Sequence, residues 1–361
     1  MNNNWRVTRL LDPTVRDRIM AAMNFEEGDR VPIWDYLDNR GIFEHFNPPD
    51  ADYHAGMVKV YHALGIDLCR GYGASFKEEQ DGTVTEQGSQ EITISGRTRW
   101  VSKKAIRSLD DLRAWNGRPA TAEQIRESWL KSTTAQQDRF GPHTMYVPGH
   151  GCGFHGTYGT MGLELFSYAI HDARDAVEKL MNVLNTNSVR TATVAAEKRL
   201  CPMFFVGDDI AYKGALMFSP AFLRETFIPC LARVCEPLVN AGIKVIFHSD
   251  GYVMEILDDM IEAGISGLNP VEPIAGMDIG LLKKRYGRNL ILVGNVDCSQ
   301  VLPLGTREEV VEATKACIRA ASPGGGHFIG SSSEITPSTP VENILAFYAT
   351  CRDFGAYPIR S

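Results

Sequence analysis

The chain has 361 residues, 44% of them hydrophobic and 22% charged, which is enough to bury one large core and ordinary for a folded globular protein. A formal charge of −7 argues against nucleic acid as a routine partner, because phosphate binding needs a basic surface. Eight cysteines without a CxxC pair exclude a cysteine zinc knuckle and fit a reduced cytoplasm, and no apolar stretch has the length of a signal peptide core or a membrane span.

In chain order, Val31-Pro32-Ile33 reads as a first strand ending at Trp34, with Asp35 and Arg40 at its polar exit. Residues 71–117 are more polar, with a turn at Lys77 to Gly82 and alternation over Glu91 to Ser95, and predict an inserted hairpin. After the strand Met145-Tyr146-Val147, the loop Pro148 to Tyr158 carries four glycines with His150, Cys152 and His155. A glycine-rich loop shaping a pocket explains it better than a ligand set. Over Asp175 to Lys198, the helical spacing of Val177, Leu180, Met181 and Leu184 predicts a core stripe.

From here five apolar runs in succession finish in polar groups. Met203 to Val206 leads to Asp208 and Asp209, with Tyr212 beyond; Val245 to Phe247 leads to His248 and Asp250; Ile265 to Leu268 leads to Asn269 and Glu272. Leu290 to Val293 leads to Asn295 and Asp297, and His327 to Ile329 leads to Ser331 through Glu334. Helices are predicted between them at 221–241, 253–263, 278–286 and 307–320, with starts at Ser219-Pro220, at the capping box Thr306 to Glu309, and at Thr339-Pro340. Strand alternating with helix predicts parallel βα architecture, and we read an α/β fold of the (β/α)8 TIM barrel type, one domain over 1–361 with a core at about 28–358. The first strand closes against the last.

Polar groups at the carboxyl ends of barrel strands meet at one mouth, where such barrels do their chemistry. A side-chain period of two puts His248 and Asp250 on one face, as a metal or acid-base pair. A hydrogen-bonded core histidine is the plainer alternative, and the convergence of five strand ends speaks against it. Glu272, Asp35 and Asp209 are the candidate acids or bases, and Trp34, Arg40, Tyr212, Asn269 and Asn295 the candidate substrate contacts. Asp208 and Asp209 have an alternative structural use, capping the helix near Ser219 or binding Lys213.

The strings Phe247-His248-Ser249-Asp250-Gly251, Leu282 to Gly287, Leu292-Val293-Gly294-Asn295-Val296-Asp297, and Ile335 through Pro340-Val341-Glu342-Asn343 to Pro358 resemble the uroporphyrinogen decarboxylase-like superfamily. Gly28-Asp29-Arg30-Val31-Pro32 resembles that superfamily more weakly. The resemblance implies a (β/α)8 barrel and either of two activities, porphyrinogen decarboxylation or corrinoid-dependent methyl transfer. Decarboxylases resemble Arg-Gln-Ala-Gly-Arg near the first strand; Trp34 to Arg40 keeps only the last arginine, too few cations for an octa-acid. The coenzyme M methyltransferases hold zinc with a His-x-Cys pair and a later Cys. His248 keeps the first position, Asp250 replaces the first cysteine, and Ser333 with Glu334 stands at the second.

The implied ligands are therefore His248, Asp250 and Glu334, around zinc or another divalent metal. Such a nitrogen and oxygen set is harder than a thiolate set and suits an oxygen leaving group. This resembles the branch that demethylates methoxylated aromatics and passes the methyl group to cobalamin. Corrinoid modules resemble Asp-x-His-x-x-Gly; Asp52 to Met57 misses that spacing, so the cobalamin is expected on a separate corrinoid partner protein. Porphyrinogen decarboxylation and a noncatalytic ligand-binding barrel are the alternatives.

Overall fold

The computed structural model describes residues 5–72, 80–84, 90–94 and 98–360, with side chains outside 80–103. Its centre is a ring of parallel strands. Leu68–Cys69 pairs with Met145–Tyr146, and the chain continues into Gly149–His150, which pairs with Met203–Gly207. Lys244–His248, Gly267–Asn269, Ile291–Val293 and His327–Phe328 follow in order. The first strand closes the ring through parallel bridges from Ile33 to Ile329 and from Trp34 to Leu68. Trp34 N–H donates to the Ile329 carbonyl at 2.9 Å, and Leu68 N–H donates to that of Ile33 at 3.0 Å.

Near-continuous apolar runs form these strands because both faces are covered. Phe204 and Phe247 point outward, onto Trp129 and Phe227 of the surrounding helices, with ring centroids 6.1 and 5.6 Å apart. Trp34, Phe205 and Phe328 point inward and fill the barrel, Trp34 lying 6.3 Å from Phe205 and 6.0 Å from Phe328. Asp67, which precedes the second strand and is buried, is held by Arg18 and Arg30 at 2.5 and 2.8 Å.

The helices lie near their predicted positions. Pro220–Asn240 is capped by Ser219, Ile279–Tyr286 by Asp278, and Arg307–Ala321 by the full Thr306/Glu309 capping box. Val177, Leu180 and Met181 are buried along Arg174–Lys198. Two starts differ: the helix predicted from Val253 begins at Leu257, and Val341–Phe354 has Pro340 itself as N-cap with no side-chain cap. In the polar insertion, Gln80–Val84, Gln90–Ile94 and Thr98–Lys103 make a three-stranded antiparallel sheet where a hairpin was expected. Asp81 and Gly82 lie in its first strand, not in a turn, and residues 77–79 lie outside the described residues. Among the described residues no helix is long and apolar enough to cross a membrane.

Candidate active site at the carboxyl ends of the strands

His248 ends the fifth strand, in register with Gly207 of the fourth and Asn269 of the sixth. That register fixes its ring. Its Nδ1 donates to Asn269 Oδ1 at 2.7 Å, leaving the Nε2 lone pair aimed at the mouth. Burial, helped by the positive charge of Arg70, lowers the imidazole to about 4, so it is neutral at ordinary pH. Facing Nε2 are Asp209 Oδ1 at 3.9 Å and Asp250 Oδ1 at 4.0 Å.

Asp209, His248 and Asp250 thus offer one ligand atom each, all within 4.8 Å of one another. Asp250 Oδ1 is buried and accepts no hydrogen bond, although half of the side chain is exposed. Burial and the neighbouring Asp209 push the Asp250 carboxyl up to about 6. A neutral imidazole lone pair beside two carboxylates, one with an orphaned buried oxygen, is a donor set that fits a divalent cation. Bonds of about 2.1 Å would put tetrahedral ligand atoms roughly 3.4 Å apart, closer than the 3.9 and 4.0 Å that separate Nε2 from the two carboxylates.

The expected third ligand, Glu334, does not join this group. Its charge is felt by Asp250 and Tyr36, but Asp209 takes the place in the cluster. Asp208, next in the chain, faces away. Its buried carboxylate accepts the backbone N–H groups of Cys152 and His155, capping the helix Phe154–Met161 and not the helix after Ser219. The glycine loop makes that possible: a Cβ on Gly151 would stand 2.9 Å from Asp208 Oδ2, and Gly153, at φ +99°, passes so close that a Cβ would stand 2.7 Å from Asn185 N. His155 returns toward the site, Nδ1 lying 3.4 Å from Asp209 Oδ2 and its ring stacked on Tyr158.

The remaining candidates divide. Glu272 Oε2 accepts Gly251 N–H at 2.8 Å, so it borders the loop that carries Asp250, and burial raises its carboxyl. Tyr212 lies over the same loop, 56% exposed, and its carbonyl accepts Tyr252 N–H. Asn295 ties the loops together through its amide to the Val271 carbonyl and lines a cavity of about 590 Å³ that contains none of the three cluster residues. Asp35 is buried, and its oxygens accept from Ser331 Oγ at 2.6 Å, Tyr348 Oη at 2.9 Å and two backbone N–H groups. Saturated in this way, it stitches the first strand to the last instead of facing a substrate. Trp34 is core, and Arg40 is two-thirds exposed on its helix, paired with Glu44.

A cation missing from the sequence reading stands where Arg40 was expected. Arg70 follows the second strand, its guanidinium 4.8 Å from the Tyr36 ring centroid and 5.5 Å from that of Phe205. The apolar run Ile66 to Cys69, interrupted by Asp67, carries the same signal of a strand ending in a polar residue, but it is very short.

Residues 103–354 match the family described as uroporphyrinogen decarboxylase (URO-D). The chain belongs to the URO-D family. The methylcobamide:CoM methyltransferase MtaA of Methanosarcina barkeri strain Fusaro is 32% identical over 361 residues, covering 95% of this chain and 99% of the relative. A second Methanosarcina barkeri protein of that name is 24% identical over 358 residues, with the same coverage. A uroporphyrinogen decarboxylase of Coxiella burnetii is 31% identical over 145 residues, 38% of either chain. A solved methyltransferase from Methanosarcina mazei superposes with a TM-score of 0.71 at 20% identity, covering 96% of this chain and all of the other, and shows the shared fold. Within the URO-D family this chain is a methyltransferase.

Proposed function

We propose that this URO-D family enzyme moves a methyl group from a small methoxylated aromatic donor to the cob(I)alamin of a separate corrinoid protein docked over the mouth. A divalent metal, zinc foremost, would be held by His248, Asp250 and Asp209. The observation that carries the reading is the ligand set: one imidazole and two carboxylates, with no thiolate in the cluster. Such a set favours activating oxygen over sulfur, and methylcobamide is part of the relatives' printed name. When bound, the ion supplies Lewis-acid polarisation of the ether oxygen.

The chain's own residues do the rest. Asn269 holds the His248 tautomer with Nε2 turned to the mouth. Glu272, whose Oε2 accepts Gly251 N–H beside Asp250, is the group that would pass a proton to the oxygen left when the methyl–oxygen bond breaks, so the products are a methylated acceptor and a phenol. Tyr212 offers an exposed ring at the rim for an aromatic donor. A porphyrinogen octa-acid suits this mouth poorly, since carboxylates dominate it.

The test is an anaerobic incubation with cob(I)alamin and a panel of methoxylated aromatics, following the methylcobalamin spectrum and the phenol formed in equal amount. The reading expects transfer that needs the donor and is lost in His248→Ala together with bound metal. Transfer confined to methylated thiols would overturn it.

A further inference from the structure

We propose that Arg70 selects an anionic methyl donor, its guanidinium taking a carboxylate at the end of an aromatic ether remote from the methyl group. The inference rests on the methyl-transfer reading for the word donor, and on separate geometry for the anion. The guanidinium lies over two rings, its carbon 4.8 Å from the Tyr36 centroid and 5.5 Å from that of Phe205. Its edge, with five N–H donors, makes no hydrogen bond or ion pair to any described residue, whereas Arg18, Arg30, Arg174 and Arg224 all reach carboxylates within 3.0 Å. An arginine lying over two rings, with no hydrogen-bond partner among the described residues, is placed to take a planar, bidentate anion.

Position gives the anion its distance from the chemistry. The Phe205 ring lies 5.3 Å from the His248 ring and 5.5 Å from the Arg70 guanidinium carbon, so the cation and the cluster share one aromatic neighbour. A flat ring lying across Phe205 would present one substituent to each. Charge points the same way. Lys213 lies near Glu272, and Arg70 is the cation that lies over the Phe205 ring.

The experiment compares 3-methoxybenzoate with 3-methoxybenzyl alcohol, which share the ring and the ether and differ in charge. Binding of each to the zinc-loaded protein is measured by calorimetry without cobalamin, for wild type, Arg70→Gln and Arg70→Lys. Wild type is expected to prefer the acid by about tenfold or more, as a charge-assisted pair allows. Arg70→Gln should bring the ratio near one, and Arg70→Lys should keep part of it. An equal ratio in wild type and Arg70→Gln, or no binding of the acid to wild type, overturns the proposal.

The two readings fail separately. Arg70-dependent binding of the acid with no methyl transfer from any ether removes the reaction and leaves the anion site. Transfer from both ethers with the same KM in wild type and Arg70→Gln removes the anion site and leaves the reaction.

Discussion

Asn269 decides which nitrogen of His248 faces the mouth, so its loss should be felt at the ligand and not in the fold. Asn269→Ala is expected to weaken zinc affinity about 10–100-fold, as removal of such supporting hydrogen bonds does, with the circular dichroism spectrum unchanged. A competition titration against a chromogenic chelator reads this directly. Asp35 makes a prediction of a different kind. Burial holds its carboxyl up at about 6, above the unfolded value of 3.8, so between these values the folded protein binds the extra proton. Its contribution to stability therefore rises as pH falls from 6 toward 4, by up to about 3 kcal/mol. Wild type should gain over Asp35→Asn in urea melts between pH 7 and 4.5, and a pH-independent gap would show that Asp35 is already protonated or never is. Asp250 titrates in both proteins and drops out of the difference. Residue by residue, the meeting of His248 and Asp250 at the mouth was legible because an apolar strand ending in His-x-Asp puts both on one face. Asp209 was legible as a mouth residue, though read as an acid and not as part of the cluster. Trp34, Arg40 and Asp35 were misplaced for one reason: leaving a strand end says nothing of whether a side chain then turns into the barrel, out to solvent or onto the neighbouring strand.

At the scale of elements, Asp208 joins the fourth strand to the helix Phe154–Met161, and Asp209 beside it inherits its position from that joint. Asp208→Ala would leave the buried N–H of Cys152 and the half-buried N–H of His155 without an acceptor, so a loss of about 1–3 kcal/mol is expected in denaturant unfolding. The same variant should also bind metal less tightly, because Asp209 and His155 are no longer held. Full affinity in a destabilised Asp208→Ala would separate the cap from the site. The barrel strands were readable as apolar runs, and most helix starts as caps, since Ser219 and Thr306 carry out locally what their sequence signals promise. The second strand was not readable. Leu68–Cys69 is too short for a period, and Asp67 interrupts its apolar run to take Arg18 and Arg30, so the residue after it, Arg70, escaped notice. The insertion showed its alternation but not its third strand, because pairing partners are chosen in space.

Over the whole molecule, ring closure brings together residues far apart in the chain: Asp35 reaches Ser331 and Tyr348, and Asn39 reaches the carbonyls of Thr336 and Thr339. The closure was legible as an expectation because a barrel reading leaves the first strand a place only beside the last. The aromatic filling of the barrel has a kinetic consequence. Trp34, Phe205 and Phe328 occupy the interior beneath the site, so in the proposed reaction donor and acceptor would share one doorway. On the proposed reaction a small ether would seat itself while the doorway is clear, yet a bulky corrinoid protein over it would bar both exit and replacement. Reactants queuing at one door interfere when either is in excess. Initial rates with a fixed corrinoid partner should therefore pass through a maximum and fall as donor concentration climbs well past its KM, and a plain hyperbola would mean that the phenol and the next ether have another way through.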